Sequence, residues 1–280
     1  MGVVLITGGA GGMGLATATI MGRDHTIVLS DVSAKRLDTA VADLTAAGIE
    51  AEARVCDITD RVAVDELVRY AADLGPLAAI VHTAGVSPQM GSPEFIVRVN
   101  ALGTVHLTRA ALRAAEPGFA LVNVASIAGH LTPSALMPKK TFKMALGDAE
   151  EFAASLIGKA SRGPSAMQAG TAYSMSKAFV IWYSARMAAV FGAKGARILS
   201  VSPGSIDTAM GRLEEASGAG KMVEFTALKR FGTAEEVAEL LAFCAGPKAG
   251  YLTGIDILID GGTRAGVGLK EMLAMARSSR

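Results

Sequence analysis

Short apolar runs alternate along this chain with longer segments in which apolar residues recur every three or four positions. The runs are Val3 to Thr7, Thr26 to Ser30, Glu52 to Val55, Leu77 to His82, Ala120 to Ser126, Arg197 to Ser202 and Asp256 to Asp260. They are apolar along their length rather than alternating, as expected of strands covered on both faces. Helical spacing covers Ser33 to Ala47, Asp60 to Leu74, Pro93 to Ala115, Thr171 to Phe191 and Thr233 to Ala245. Ser92 and Pro93 make a good helix start, a capping hydroxyl followed by proline in the first turn. Strand and helix in steady alternation predict an α/β fold. The expected form is a doubly wound parallel seven-stranded sheet in a single domain, residues 1–280.

One region breaks the rhythm. Residues 131–170 carry no strand signal, and Phe142 to Ala160 reads as helix. This predicts a helical insertion over 131–170, with loop edges, inside the one domain.

Composition narrows the classes. The 280 residues, 51% hydrophobic and 19% charged, suffice for one sizeable core. Net charge is +1 without a basic run, so neither nucleic acid nor an anionic membrane is expected as a partner. Cys56 and Cys244 stand far apart in apolar surroundings, which suggests reduced core residues rather than a disulfide or a zinc site. No metal is expected. No stretch is long and apolar enough for a bilayer, and Met1-Gly2 lacks the Ser or Thr that myristoylation wants at the place of Ile6. The expected location is cytoplasmic.

The first candidate chemistry is "TGGAGGMG", Thr7 to Gly14, between the first strand and the first helix. Glycines there allow a tight turn and close approach of backbone to a pyrophosphate, and the helix N-terminus offers free N–H groups. A flexible loop is the bland alternative, and the position after strand one favours a dinucleotide. Asp31 ends the second strand, where a carboxylate can accept both hydroxyls of an adenosine ribose and repel a 2′-phosphate. That favours NAD(H) over NADP(H), although Lys35 and Arg36 stand one turn into the next helix. Asp31 could equally serve as a cap ahead of Ser33.

With these residues in place the sequence resembles the short-chain dehydrogenase/reductase family, in its compact single-domain branch with a Rossmann fold. The family's TGxxxGxG is matched by Thr7, Gly8, Gly12 and Gly14. "CDITD" matches the segment whose aspartate, here Asp57, holds the adenine amino group. "HTAG" stands in place of NNAG, with Ala84 and Gly85 kept and His82 and Thr83 replacing the asparagines. Asn100, Ser126, Tyr173 and Lys177 match the catalytic positions, the last two as YxxxK. Pro203 and Gly204 match the PG turn, Ile206 and Thr208 the nicotinamide contacts, and Ile259 to Gly262 the end of the last strand. The resemblance runs from about residue 3 to about residue 265, with the insertion unmatched. It implies a cofactor set of Gly8, Gly12, Met13, Gly14, Asp31, Val32, Asp57, Ile58, Ala84, Gly85, Tyr173, Lys177, Pro203, Ile206 and Thr208.

The chemistry makes sense of Tyr173 and Lys177, four positions apart on one helix face. A ketone becomes an alcohol by taking a hydride from the nicotinamide and a proton from the protein. A phenol, with a reference pKa near 10, needs a neighbouring cation to give that proton at neutral pH. Lys177 is that cation, Ser126 would hydrogen-bond the substrate oxygen, and Asn100 would hold a relay water, as in the family. Enoyl reductases of the superfamily have a longer gap between Tyr and Lys, so carbonyl chemistry is preferred. His82 and His130 read as structural, His130 alternatively as a lining residue near the substrate.

Both ends of the insertion are tied to the active site by Ser126 and Tyr173. Its Leu136, Met137, Phe142, Met144, Leu146, Phe152, Leu156, Ile157 and Met167, with Met210, Leu213, Met222 and Phe225 beyond Pro203, suggest two readings. One is a lid over a bulky hydrophobic steroid- or terpenoid-like alcohol or ketone. The other is a small core of their own or a subunit contact. The expected function is an NAD(H)-dependent dehydrogenase of hydroxysteroid dehydrogenase type. The alternatives are an NADPH-dependent carbonyl or ketoacyl reductase and a non-catalytic dinucleotide sensor or scaffold. A homodimer or homotetramer is expected, paired through Pro93 to Ala115, Thr171 to Phe191 and the last strand. The tail from Gly268 reads at best as a short amphipathic helix.

Overall fold

The computed structural model describes residues 2–131, 137–216, 223–224 and 226–266. Leu136, Met222, Phe225 and the tail from Gly268 lie outside the described residues. The strands are β1 (Val3–Thr7), β2 (Thr26–Asp31), β3 (Ala51–Val55), β4 (Leu77–His82), β5 (Ala120–Val124), β6 (Arg197–Pro203), β7 (Ile206–Asp207), β8 (Gly232–Thr233) and β9 (Asp256–Ile259). The helices are α1 (Gly12–Met21), α2 (Ala34–Ala46), α3 (Arg61–Asp73), α4 (Pro93–Val97), α5 (Gly103–Ala114), α6 (Ala128–Leu131), α7 (Lys139–Met144), α8 (Ala149–Ala160), α9 (Ser165–Gly192), α10 (Ala209–Ala216), α11 (Ala234–Ala245) and α12 (Thr263–Gly266).

Seven strands form one parallel sheet in the order β3-β2-β1-β4-β5-β6-β9, and β7 pairs with β8 apart from it. The order reverses between β1 and β4, so the crevice at the C-terminal ends of these strands is where ligands bind in such sheets. The continuous apolar runs are explained by helices on both faces: β1, β5 and β6 are buried at every residue. Strand alternation sends Val3 and Leu5 to one core and Val4 and Ile6 to the other. Cys56 and Cys244 are buried, and burial pushes both thiols up to about 11. Among the described residues no helix is long and apolar enough to cross a membrane.

Three expectations change. The segment expected as one helix from Pro93 to Ala115 contains a π-turn, Arg98–Leu102, between α4 and α5. Such wide turns recur at functional sites, and this one carries Asn100. Next, the insertion does not end at residue 170. Helix α9 already begins at Ser165, after Pro164, and Gln168 Nε2 fastens its first turn by donating to Ser161 O (2.9 Å) and Gly163 O (3.1 Å). Gly170 therefore lies inside a 28-residue helix.

The third change concerns the lid. Phe142, Phe152 and Leu156 are buried at 1% exposure or less, and Met137, Met144 and Ile157 pack against the same core. Phe152 and Phe142 lie on Phe179 of α9, at ring-centre distances of 4.3 and 5.4 Å, and Phe142 also meets Trp182 at 5.8 Å. These side chains form a core rather than a lid, because α9 offers them an aromatic face to bury. The insertion thereby covers, within the chain, part of a helix expected to pair subunits. Asp148 caps α8 by accepting from Glu150 N (2.8 Å) and Glu151 N (3.0 Å), which breaks the expected single helix in two. Arg109 of α5 closes the turn by donating to Ala145 O (3.0 Å) and Gly147 O (2.6 Å).

Candidate active site

The turn after β1 is built by close approach. Gly8 has φ +67°, and a Cβ there would stand 2.6 Å from Ala84 N, so only glycine lets β1 and the β4 loop touch. The turn is closed by Gly9 N donating to Ser30 O (2.9 Å) and Gly11 N to Gly8 O (2.9 Å). Helix α1 starts without a side-chain cap and without an acidic residue in its first turn. Its first N–H groups are left for an anion. A Cβ on Gly12 would approach Thr208 Cγ2 to 3.1 Å, so the cradle is shaped by the absence of a side chain.

At the end of β2, Asp31 is 8% exposed, accepts from Ser33 N (3.2 Å) and lies 3.6 Å from Arg36 Nη2. Val32 beside it is 65% exposed. Asp57 accepts from Thr59 N and Oγ1, both at 2.8 Å. Ile58, expected at the cofactor, buries its side chain in the core, where Gly103 of α5 leaves room for it, and only its main chain is left to meet a ligand. The uncapped helix start, the open cradle and the buried carboxylate together fit a dinucleotide.

The other end of the site is one cleft. It gathers Met13, Gly85, Ser126, Tyr173, Lys177, Pro203, Ile206 and Thr208 of the expected residues. Asp31, Val32, Asp57, Ile58, Ala84 and Asn100 do not line it, nor do Gly8, Gly12 and Gly14. Its walls also include Thr83 of the HTAG segment and Met210 of the apolar set, and add Val86, Pro88, Gln89, Ile127, Leu131, Gly170 and Ser174, which the motifs did not single out. They come from loops and helix stripes whose facing direction only the fold reveals.

Lys177 is 6% exposed. Its ammonium donates to Val124 O (3.0 Å) and stands 5.9 Å from the centre of the Tyr173 ring. The solvated lysine of a plain amphipathic edge is not what the fold contains. Gly85 is closely packed here too, since a Cβ would lie 3.3 Å from Lys177 Nζ and 3.1 Å from Asn100 Oδ1, closer than such contacts ordinarily come. Ser126, just past β5, accepts from Ala128 N at 3.1 Å, which leaves its own hydroxyl hydrogen to donate. The turn is held by Ala125 N to Val201 O (2.8 Å) and Ile127 N to Pro203 O (2.9 Å). His130 turns away from the cleft, its Nε2 2.8 Å from Asp256 Oδ2 and 3.2 Å from Ser202 Oγ.

Asn100 works beneath the cleft. Its Oδ1 accepts from Val86 N (2.8 Å), and its Nδ2 donates to Val86 O (2.9 Å) and Ser176 Oγ (3.3 Å). The amide thus ties the β4 loop to α9, a positioning task the sequence reading did not assign.

His82 fills the gap left by the missing asparagine. Thr104 Oγ1 donates to Asn100 O (2.8 Å), so it accepts from His82 Nε2 (3.2 Å). Nδ1 is then the bare nitrogen, and Thr7 Oγ1 donates to it at 2.7 Å. Burial, reinforced by the charge of Lys177, pushes the imidazole down to about 3. A neutral ring therefore links the glycine-turn strand to Thr104 at the start of α5, and through it to Asn100 O of the π-turn. The departure from NNAG was the signal for it.

The comparisons with known proteins follow the same lines. Residues 2–146 match the family model described as short chain dehydrogenase, and residues 140–264 one described as Enoyl-(Acyl carrier protein) reductase. The chain is 29% identical over 265 residues to the short-chain dehydrogenase/reductase bsc3 of Alternaria brassicicola, covering 93% of this chain and 95% of that one. It is 30% identical over 275 residues to cis-4-hydroxycyclohexanecarboxylate dehydrogenase of Sinomonas cyclohexanicum, with 94% and 96% covered. Levodione reductase shares the fold with a TM-score of 0.75 at 24% identity, over 94% of this chain and 98% of that one.

Proposed function

The chain belongs to the short-chain dehydrogenase/reductase family, and from that premise we propose that it interconverts a secondary alcohol and its ketone with NAD(H). The family's nicotinamide dinucleotide supplies or accepts the hydride when bound. The turn from Gly8 to Gly14 and the start of α1 would hold its pyrophosphate, and Asp31 the adenosine ribose. Val32 and Asp57 would flank the adenine, with Gly85, Pro203, Ile206 and Thr208 around the nicotinamide.

The chain's own residues handle the proton. Tyr173 Oη gives it to the carbonyl oxygen in reduction and takes it back in oxidation. The buried ammonium of Lys177 favours the phenolate that this leaves. Ser126 donates its free hydroxyl hydrogen to the same oxygen as charge develops. The observation that carries this reading is the meeting of Ser126, Tyr173 and Lys177 in one cleft. Tyr173→Phe should lower kcat by about 10²–10⁴-fold while NADH binding, read by nicotinamide fluorescence, persists. Unchanged turnover would reject the roles. NADH binding without turnover of any ketone by the wild type would favour a sensor.

The substrate is proposed to be bulky and hydrophobic, on the strength of the walls Val86, Pro88, Ile127, Leu131 and Met210 rather than of the insertion. The name of the Sinomonas relative denotes a ring alcohol, which agrees with a cyclic substrate, although that compound also carries a carboxylate. Arg36 supports a second reading, an NADPH-dependent carbonyl or ketoacyl reductase. Its guanidinium lies 3.6 Å from Asp31 and is 3.7 Å from where a Cβ of Gly11 would be, within the space a 2′-phosphate would use. Under the NAD reading, Asp31→Ala raises NADP(H) use. Under the other, Arg36→Ala removes an NADPH preference already present in the wild type. The match to the enoyl reductase description is tested by adding crotonyl-CoA to the panel. Pairing of subunits is proposed along the edge strand β9 and the segment leading into it, where Ile255, one residue before the strand, is 45% exposed and Tyr251 is fully exposed. Ile255→Lys should shift sedimentation toward monomer.

A further inference from the structure

We propose that Gly170 sets how large a substrate the cleft admits, an inference that rests on the ketone reductase reading. Gly170, Tyr173, Ser174 and Lys177 all line the cleft, at positions i, i+3, i+4 and i+7 of α9. They form one stripe of the helix. Position 170 is therefore the next turn outward from Tyr173 on the face that carries the chemistry.

Nothing in the backbone requires glycine there. Gly170 sits inside a continuous helix and is absent from the residues with positive φ. Packing does not require it either. Apart from its chain neighbours and the backbone of its own helix, a Cβ at 170 would meet no atom of the described residues within 4 Å, the Tyr173 ring included. This separates Gly170 from Gly85, also in the cleft, where a Cβ would crowd Asn100 and Lys177. Helix stability argues against glycine, which loses more backbone freedom than alanine on folding. What glycine does provide is vacant volume beside Tyr173. A helical side chain leans toward the N-terminus of its helix. A residue at 170 would therefore fill the outer part of the cleft, where the portion of a substrate remote from its carbonyl must lie. The chemistry this favours is a cyclic ketone or secondary alcohol with bulk beyond the ring that carries the oxygen.

The test uses cyclohexanone as the small ketone and 2-decalone as the fused-ring ketone, with Gly170→Ala and Gly170→Leu. Gly158 of α8 supplies the control: it too is helical with no described atom within 4 Å of a Cβ, and it lies away from the cleft. Gly170→Leu should lower kcat/KM for 2-decalone at least about tenfold relative to cyclohexanone, the equivalent of about 1.4 kcal/mol. It should also abolish the thermal shift that 2-decalone gives the wild type, a readout that needs no turnover. Gly170→Ala and Gly158→Ala should both raise Tm, and Gly158→Leu should leave the ratio of the two ketones unchanged. An equal loss on both ketones, or none on either, overturns the proposal. Reduction of neither ketone by the wild type overturns the ketone reading, and the proposal falls with it.

Discussion

The two faces of the central sheet are built from different material. The face under α1, α2 and α11 buries no aromatic side chain among its core residues, which include Val4, Ile6, Leu29, Leu37, Val122 and Leu241. The opposite face, under α3, α5 and α9, buries Phe119, Phe142, Phe152, Phe179, Tyr183 and Phe191. Strand alternation sorts the polar groups in the same way. Thr7, Ser30, His82, Asn123, Ser200 and Ser202 are buried and share the parity of Leu5, Val28, Ile80, Leu121 and Ile198 on the aromatic face. Only the terminal strand residues Asp31 and Arg197 break this among the buried polar groups with the other parity. The reason is depth. One helical layer covers the first face, whereas α7 and α8 add a second layer outside α9. Large rings fill that depth, and the polar groups beneath depend on partners inside the protein. Thr7, His82, Ser200 and Ser202 have them and Asn123 Nδ2 donates to Ser184 Oγ, whereas Ser30 Oγ and Asn123 Oδ1 have none among the described residues. The chemistry sits on the thicker side.

The largest expected effect tests the rings. Phe179 touches Phe142, Phe152, Trp182 and Tyr183. Phe179→Ala should cost about 3–5 kcal/mol in urea unfolding and should lower kcat, because the same helix carries Tyr173 and Lys177. Leu44→Ala in α2, on the thin face, should cost about 2–5 kcal/mol and leave kcat unchanged at a temperature where both variants are folded. Equal kcat losses would break the distinction between the faces.

The next effect tests the polar groups and is a pH dependence. His82 is pushed down to about 3 in the folded chain from an ordinary value of 6.5. Between about 6.5 and about 3 the unfolded chain holds the extra proton, so stability falls as pH falls through that window. The slope from this one group approaches about 1.4 kcal/mol per pH unit. His82→Asn should be flatter than the wild type by about 1 kcal/mol between pH 6 and 5, measured as a difference so that other groups cancel. Identical slopes would mean that the ring is not held neutral by the fold.

The same contrast shows what could be read from residues alone. The parallel sheet and its strand ends were legible because apolar runs of strand length leave few alternatives. The glycine turn and the pair Tyr173 and Lys177 were legible because close backbone approach and helical spacing restrict residue type. The π-turn at Asn100 was not, since one residue of extra width leaves no mark on a helical period. Phe142 and Phe152 were ambiguous for another reason. An apolar helical stripe does not say what it faces, and the same residues suit a lid, an interface or a core. Ile58 shows what a motif leaves unsaid, because its neighbour Asp57 stays at the surface while the Ile58 side chain turns into the core, so that any cofactor contact would fall to its main chain.

The smallest expected effect decides what holds the second layer in place. Arg98 in the π-turn is 3.2 Å from Glu150 at the start of α8, and also 3.1 Å from Glu94. Among the described residues this is the one ion pair that joins the insertion to the turn bearing Asn100, so it is the obvious candidate for a clamp. Yet the Arg98 and Glu150 side chains are 40% and 64% exposed, and water screens such pairs. Glu150→Gln should therefore cost about 0.2–1 kcal/mol, and less at high salt, with the chain's activity unchanged. Phe152→Ala, two residues on and on the buried side of α8, should cost about 3–5 kcal/mol, independent of salt. If the two variants proved equal, charge rather than ring burial would fasten the insertion, and depth would no longer explain why the aromatic residues gather on one face.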